Sequence, residues 1–457
     1  MLNLSNPDST IPSEKEVLQR DAYIPGYIIQ EQDLTGANTA ALVYIASRVL
    51  SISEIPIIAF HNKGGFNILF RLEFPKAGRK LLARIPLKDS RSPCRIECCV
   101  ATMSFARHVR GIPTPTIFAW NASLGSDNAV GAPFVIQEYV DNVVEPWQAW
   151  VSASEEMRSQ ILEELARYHA AFLAPLPESL RGVGDLIFAP GLSGLGASVL
   201  SDPKSYVVRP LQLRSSRPFV AASTSPVELW HQLWSHQNAL CISDADSIDI
   251  GELDLDDDDT TQCDAASFKL VASHVHTFSQ NALKVLSQHP QYAQPCLVNY
   301  DYAYRNILLD PQTLAVKAFI DWDDVHVMPF VIGIDYPEDI KRFPWEGLAP
   351  DSNFYTEGQF PSFPPDEHGE IVGEVDNEGR QTDIDEEGGS TGVEERDERI
   401  QNTMFRETYV KVLGNYDQRV SQNDMWEVRR NALKAHHLLT IGGAMWWEKR
   451  QWLSQQV

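Results

Sequence analysis

The chain lacks the cysteine pattern of a disulfide scaffold. Its six cysteines stand at 94, 98, 99, 241, 263 and 296 with no CxxC pair, and Cys98-Cys99 are adjacent on an expected helix where they do not readily bridge. A reducing, intracellular location follows. No run of about eighteen apolar residues occurs, so no membrane span is expected, and no internal repeat is present. Residues 1–8 have no apolar h-region and are too acidic and Arg-poor to resemble a mitochondrial transit peptide, which favours the cytoplasm. An excess of positive charge is missing as well. With 38 Lys and Arg against 62 Asp and Glu, the formal charge of −24 argues against nucleic acid or an anionic membrane as a partner.

That acidity is local. Residues 244–264 hold ten acidic residues and no Lys or Arg, and residues 366–398 hold fourteen against Arg380 and Arg396. Together they carry nearly all of the formal charge, so the folded body is close to neutral. The second segment contains Gly388-Gly389-Ser390 and almost no aromatic residues, too little apolar surface to offset ordering entropy. Both stretches are expected to be disordered insertions, solvated or binding basic partners or divalent cations.

At 457 residues and 43% hydrophobic content, the rest can bury one large core or two. A helix is expected near 38–51, where Leu42, Ile45, Val49 and Leu50 recur at helical spacing. Runs rich in β-formers at 66–74 and 80–86 flank Pro75-Lys76-Ala77-Gly78-Arg79, a hairpin signal. Ser92-Pro93 suits the start of a helix reaching about Val109, and two more strands fall near 116–119 and 133–139. Strand pair, helix, strand pair describes a small antiparallel sheet with one helix on it. From Trp147 the pattern turns helical: 154–173 shows a stripe of Ile161, Leu162, Leu165, Ala166 and His169, another helix spans 265–286, and a short one lies near 227–239. Two closing helices are expected at about 397–414 and 422–453.

The chemistry concentrates at 297–323. Asp301 is followed five positions later by Asn306, and the apolar run Ala318-Phe319-Ile320 ends in Asp321. One carboxylate to accept a proton and two oxygen donors to hold metal are what phosphoryl transfer requires, and hard oxygen ligands suit Mg²⁺. The plain alternative is that Asp301 and Asn306 cap a turn. His274 and His276, and the pair His436-His437, lack metal-ligand spacing and read as core or surface histidines. Asp323 and Asp324 extend the loop, tuning its charge or capping the next turn, with the cap favoured.

Taken in order, Gly64-Gly65-Phe66-Asn67, Leu82-Ala83-Arg84-Ile85-Pro86, Val100-Ala101-Thr102-Met103, Ile112-Pro113-Thr114-Pro115, the Asp301/Asn306 pair and Ile320-Asp321-Trp322 resemble the fungal branch of the aminoglycoside phosphotransferase family. These are choline-kinase-like relatives of the protein kinases, and the likeness extends to the altered inheritance of mitochondria protein nine group. It covers about 55–345 and the closing helices. The resemblance implies an α+β, two-lobed kinase-like fold, with residues 1–140 forming an N-terminal extension and a nucleotide-binding lobe and 141–457 a mainly helical lobe. It implies ATP- and Mg²⁺-dependent phosphoryl transfer to a hydroxyl of a small-molecule acceptor, for which acidic surroundings would favour a cation.

On that resemblance Asp301 is the base, Asn306 and Asp321 hold metal, Gly64 and Gly65 let the backbone approach the phosphates, and Arg84 grips phosphate oxygens. Glu138 and Val140 lie in the segment between lobes, whose backbone would bind adenine. Two residues depart from the pattern. Asn299 stands where His is usual, and Cys99 stands where a Glu would orient Arg84; Glu97, two residues earlier, points to the other side of the helix. The departures leave open a catalytically silent protein that binds nucleotide or partners, and the best-known member group leaves mitochondria open as a location.

Overall fold

The computed structural model describes residues 35–88, 93–192, 196–212, 220–221, 225–243, 247–248, 265–337, 340 and 391–457. Helix α1 (Thr39–Leu50) starts because the Asn38 side chain accepts from the N–H groups of Ala40 and Ala41, and it ends at Ser51 in the left-handed region. Strands β1 (Ile57–Lys63), β2 (Asn67–Phe74) and β3 (Arg79–Pro86) follow, then α2 (Pro93–Arg110), β4 (Ile117–Asn121) and β5 (Phe134–Glu138). The five strands form one antiparallel sheet in the order β1-β2-β3-β5-β4. Every second residue of β2 is buried, the period of a strand with one covered face. The β2–β3 turn closes through Gly78 at φ 62°. Ser92, the expected cap of α2, lies outside the described residues.

The sequence pattern gave four of these strands and missed β1. Its seven residues alternate poorly between buried and exposed because β1 is an edge strand whose far half is exposed.

The remainder is mainly helical: α3 (Glu155–Leu173), α4 (Pro226–Cys241), α5 (Ala265–Gln288), α6 (Thr391–Tyr416) and α7 (Met425–Ile441), the last followed by the short helices Gly443–Glu448 and Arg450–Gln456. The expected α+β arrangement is therefore met. Ser154 caps α3 by accepting from the Met157 N–H at 3.3 Å, and Ile161, Leu162, Leu165, Ala166 and His169 are buried as their spacing required.

The single closing helix expected at 422–453 is instead broken at Gly442. Gly442 has φ 95°, and a Cβ there would sit 2.3 Å from the Gln237 side chain. The acidic stretch 366–398 is not wholly unstructured either, since 391–398 form the first turns of α6. Residues 366–390 lie outside the described residues, as does 244–264 apart from Ser247–Ile248, which pairs with Ile242–Ser243.

Buried apolar side chains fall into two clusters. The smaller joins α1 to one face of the sheet through Leu42, Phe70, Leu72 and Phe74. The larger fills the helical body and also takes in Ile96, Val100, Met103 and Phe105 of α2.

Candidate active site

Two β-ribbons position the site. Strand β6 (Asp185–Phe188) pairs with β7 (Tyr206–Arg209) beside it, and beyond them β8 (Pro295–Asn299) pairs antiparallel with β11 (Val325–Pro329), with Asn299 opposite Val325. Strands β9 (Ile307–Leu309) and β10 (Val316–Phe319) pair with Ile307 opposite Phe319. The loop 300–306 links β8 to β9, and the turn 320–324 links β10 to β11. Because the strands at both ends are paired, loop and turn are pinned together, with the Tyr300 N–H on Asp324 O at 3.1 Å and the Ile320 N–H on Asn306 O at 2.8 Å. The sequence spacing thus becomes spatial proximity.

Within the loop, the Asn306 amide donates to Asp301 Oδ2 at 2.7 Å and to the Asp301 carbonyl at 2.9 Å. Asn299 supplies what its position needs, since its Oδ1 accepts the Asp301 N–H at 3.0 Å. Arg305 ion-pairs with Asp301 Oδ1. The Tyr300 hydroxyl meets Nε2 of buried His436 at 2.8 Å, and burial pushes that imidazole down to about 3.

Asp321 takes a left-handed backbone, φ 55°, and its side chain is about half exposed. Burial raises its pKa against the pull of Arg84, and Asp323, Asp301 and Asp324 add to the rise. The buried Arg84 on β3 lies 3.7 Å from Asp321 and in close ion-pair contact with Asp323. Asp323, almost wholly buried, also lies 3.5 Å from Arg95 and accepts from the Asn67 amide at 3.2 Å. Burial opposes ionisation of Asp323, but Arg84 and Arg95 together hold its carboxyl below the usual range. The expected cap at Asp323 is therefore corrected: the side chain is an ion partner across the cleft, and it faces three elements of the sheet half.

Arg84, Asp301, Asn306 and Asp321 are brought together. Gly64 and Gly65 lie just before Asn67; neither has positive φ, Gly64 donates to Asn67 O at 2.9 Å, and a Cβ on Gly65 would meet nothing within 4 Å. The space over this turn is open to a ligand. Glu138 and Val140 lie apart, lining a cavity of about 350 Å³ with Arg107, Thr114 and Lys317 that includes none of the other six. The Glu138 N–H is committed to Thr116 O, and its carboxylate accepts from the Thr116 N–H and hydroxyl.

Magnesium fits the loop by donor chemistry. With its amide nitrogen turned to Asp301, Asn306 has its carbonyl oxygen left for a cation, and Asp321 offers a carboxylate in an acid-rich setting that a divalent ion would relieve. Among the described residues no group of three or more His, Cys, Asp or Glu forms a metal set; a mixed Asn and Asp pair leaves the other positions to phosphate and water. His276 packs on Trp234, with ring centroids 4.4 Å apart.

Sequence reasoning missed Asn67, Arg95, Arg305 and the part played by Asp323. One signal was present: with Cys99 in place of an acid, a buried Arg84 needed another counter-ion, and Asp323 shares the alternation of Asp321 around buried Trp322.

No family model matches the chain. A subtelomeric hrmA-associated cluster protein of Aspergillus fumigatus is 34% identical over 113 residues, 24% of this chain and 21% of that protein. The chain thus spans about a fifth of the length of the curated relative it matches. Among solved structures it is similar to an aminoglycoside phosphotransferase from Ralstonia eutropha JMP134, at 14% identity and TM-score 0.39 over 91% of this chain and 98% of that one. It is also similar to a Plasmodium vivax ethanolamine kinase, at 13% and 0.37 over 87% of each. A streptomycin–ATP complex of the phosphotransferase APH(2'')-IIa aligns at 11% and 0.36, over 67% and 73%.

Proposed function

We propose that the chain is an ATP- and Mg²⁺-dependent phosphotransferase acting on a hydroxyl of a small molecule. The observation that carries this is the pinned loop and turn, in which the Asn306 amide holds Asp301 from one side while Asp321 stands beside both. Asp301 Oδ2, oriented by that amide, accepts the proton of the acceptor hydroxyl as its oxygen bonds to the γ-phosphorus of ATP and the bond from that phosphorus to the bridging oxygen breaks, ADP leaving. Asn306 and Asp321 hold the metal, which when bound neutralises charge on the phosphates. Arg84 grips phosphate oxygens from the sheet, the backbone at Gly64-Gly65 roofs them, and the segment containing Glu138 and Val140 receives adenine. The acidic surroundings favour a cationic acceptor.

The test is ATP turnover across an acceptor panel for wild type beside Asp301→Ala. Loss of a general base costs about 10²–10⁴ in rate; equal turnover in both proteins would end the assignment.

A second reading has an observation of its own. Arg305 and Arg84 lie against Asp301 and Asp321, and these ion pairs must be given up before the two carboxylates serve as base and metal ligand. Metal-dependent stabilisation by ATP, about 2.7 kcal/mol at a hundred times Kd, with no transfer to any acceptor would favour it. The finer likeness to the altered inheritance of mitochondria protein nine group rests on motif order. A cytoplasmic location rests on the cysteine spacing of the chain. No described helix is long and apolar enough to cross a membrane.

A further inference from the structure

Arg84 is a buried cation with neighbours of two very different kinds. On one side its Nη1 meets the Cys99 thiol of α2 at 3.4 Å; that thiol is buried and pushed up to about 12, so it brings no charge. On the other side stand two carboxylates of the turn after β10. Asp321 is 3.7 Å away with a side chain 49% exposed, whereas Asp323 is 3% exposed and in closer contact. A buried guanidinium requires a buried, directed counter-ion. Only Asp323 meets both conditions.

We propose that Asp323 is the positioning residue for Arg84, supplying across the cleft the orientation that a carboxylate at position 99 would supply from α2. Two further contacts fix Asp323 in place, Asn67 from the start of β2 and Arg95 from α2. With Asp323 taking the closer contact with the guanidinium, Asp321, 3.7 Å from Arg84 and half exposed, keeps carboxylate surface for a metal, so the alternating pair Asp321 and Asp323 divides two tasks. Arg84 is consequently aimed only while the sheet and the 320–324 turn are in contact. The expected cost of losing this alignment in turnover is about 10²-fold in kcat/KM. That cost rests on the phosphotransfer reading; the placement of the guanidinium does not.

The experiment compares full-length wild type, Asp323→Asn, Asp323→Asn/Cys99→Glu and Arg84→Lys by two readouts. The first is the Arg84 Nε–H resonance in ¹⁵N NMR, assigned by its disappearance in Arg84→Lys; the second is ATP turnover. The expected result is a solvent-protected Arg84 Nε–H in wild type, lost in Asp323→Asn and regained in the double variant, with turnover following in parallel. A resonance unchanged by Asp323→Asn overturns the proposal, and so does a double variant that fails to regain it. Should Asp323→Asn not fold, a folded double variant with Arg84 protected supports the proposal, and failure of both to fold overturns it. If the resonance behaves as expected while wild type shows no turnover, the phosphotransfer reading falls and the positioning of Arg84 stands.

Discussion

His169, on α3 beneath the loop, sets a pH dependence of stability that can be worked from its contacts. Its Nε2 lies 3.0 Å from the Gly333 carbonyl, which only accepts, so Nε2 carries the hydrogen and Nδ1 accepts from the Tyr409 hydroxyl at 2.7 Å. The ring stacks on Tyr302, centroids 4.8 Å apart, directly after Asp301. Burial drives the imidazole down from 6.5 to about 4. The folded state therefore binds fewer protons than the unfolded state between those values, and stability falls as pH drops through 6.5 toward 4. At about 1.4 kcal/mol per pH unit, His169 accounts for a loss of about 2 kcal/mol between pH 7 and pH 5. His169→Gln keeps an amide that can donate to Gly333 but removes the titration. Urea unfolding of both proteins at pH 7 and pH 5 should show wild type losing about 2 kcal/mol more than the variant. His436 contributes in the same direction in both proteins and cancels. Equal losses in the two would show that His169 titrates normally and that the burial argument fails.

Other perturbations follow the same logic. Asn299→Ala removes the acceptor for the Asp301 N–H and should cost about 1 kcal/mol of stability but about 10²-fold in turnover, whereas Asn299→Asp retains an acceptor and most of the rate; matching steady-state losses in the two would exclude the loop-holding role. Gly184 has φ 154°, and a Cβ there would fall 1.9 Å from the Arg209 carbonyl. Gly184→Ala should destabilise by roughly 4 kcal/mol or more, displacing Asp185 from His326 Nδ1, now 2.8 Å away; a chemical denaturation midpoint close to that of wild type would contradict it.

What could be read in the sequence divides along physical lines. The β2–β3 hairpin and the buried stripe of α3 are local patterns, and a period of two or 3.6 states them directly. The order of Asp301, Asn306 and Asp321 was legible because the loop and turn that carry them are short. The partner of Arg84 was not, since Asn67, Arg84, Arg95 and Asp323 converge from four segments and no spacing records that. The break at Gly442 goes with its positive φ, in a place where Gln237, some two hundred positions away, leaves no room for a Cβ, and β1 is defined by its ladder to β2 more than by its own composition. Even Asn299 could be judged only in place, where one amide oxygen holds the backbone of the next residue but one.

The packing of α2 bears on how the cleft can open. Its inner face contributes Ile96, Val100 and Phe105 to the larger core, with Phe105 edge-on to Tyr206 of β7 at 5.2 Å. A helix so anchored cannot swing outward with the sheet without exposing that apolar surface, at about 25 cal/mol for each Å² uncovered. Closure over a ligand is then expected as a shear, a small sliding of packed elements that keeps this surface covered, so that the helix works as a rail for the sheet instead of a lever acting on it.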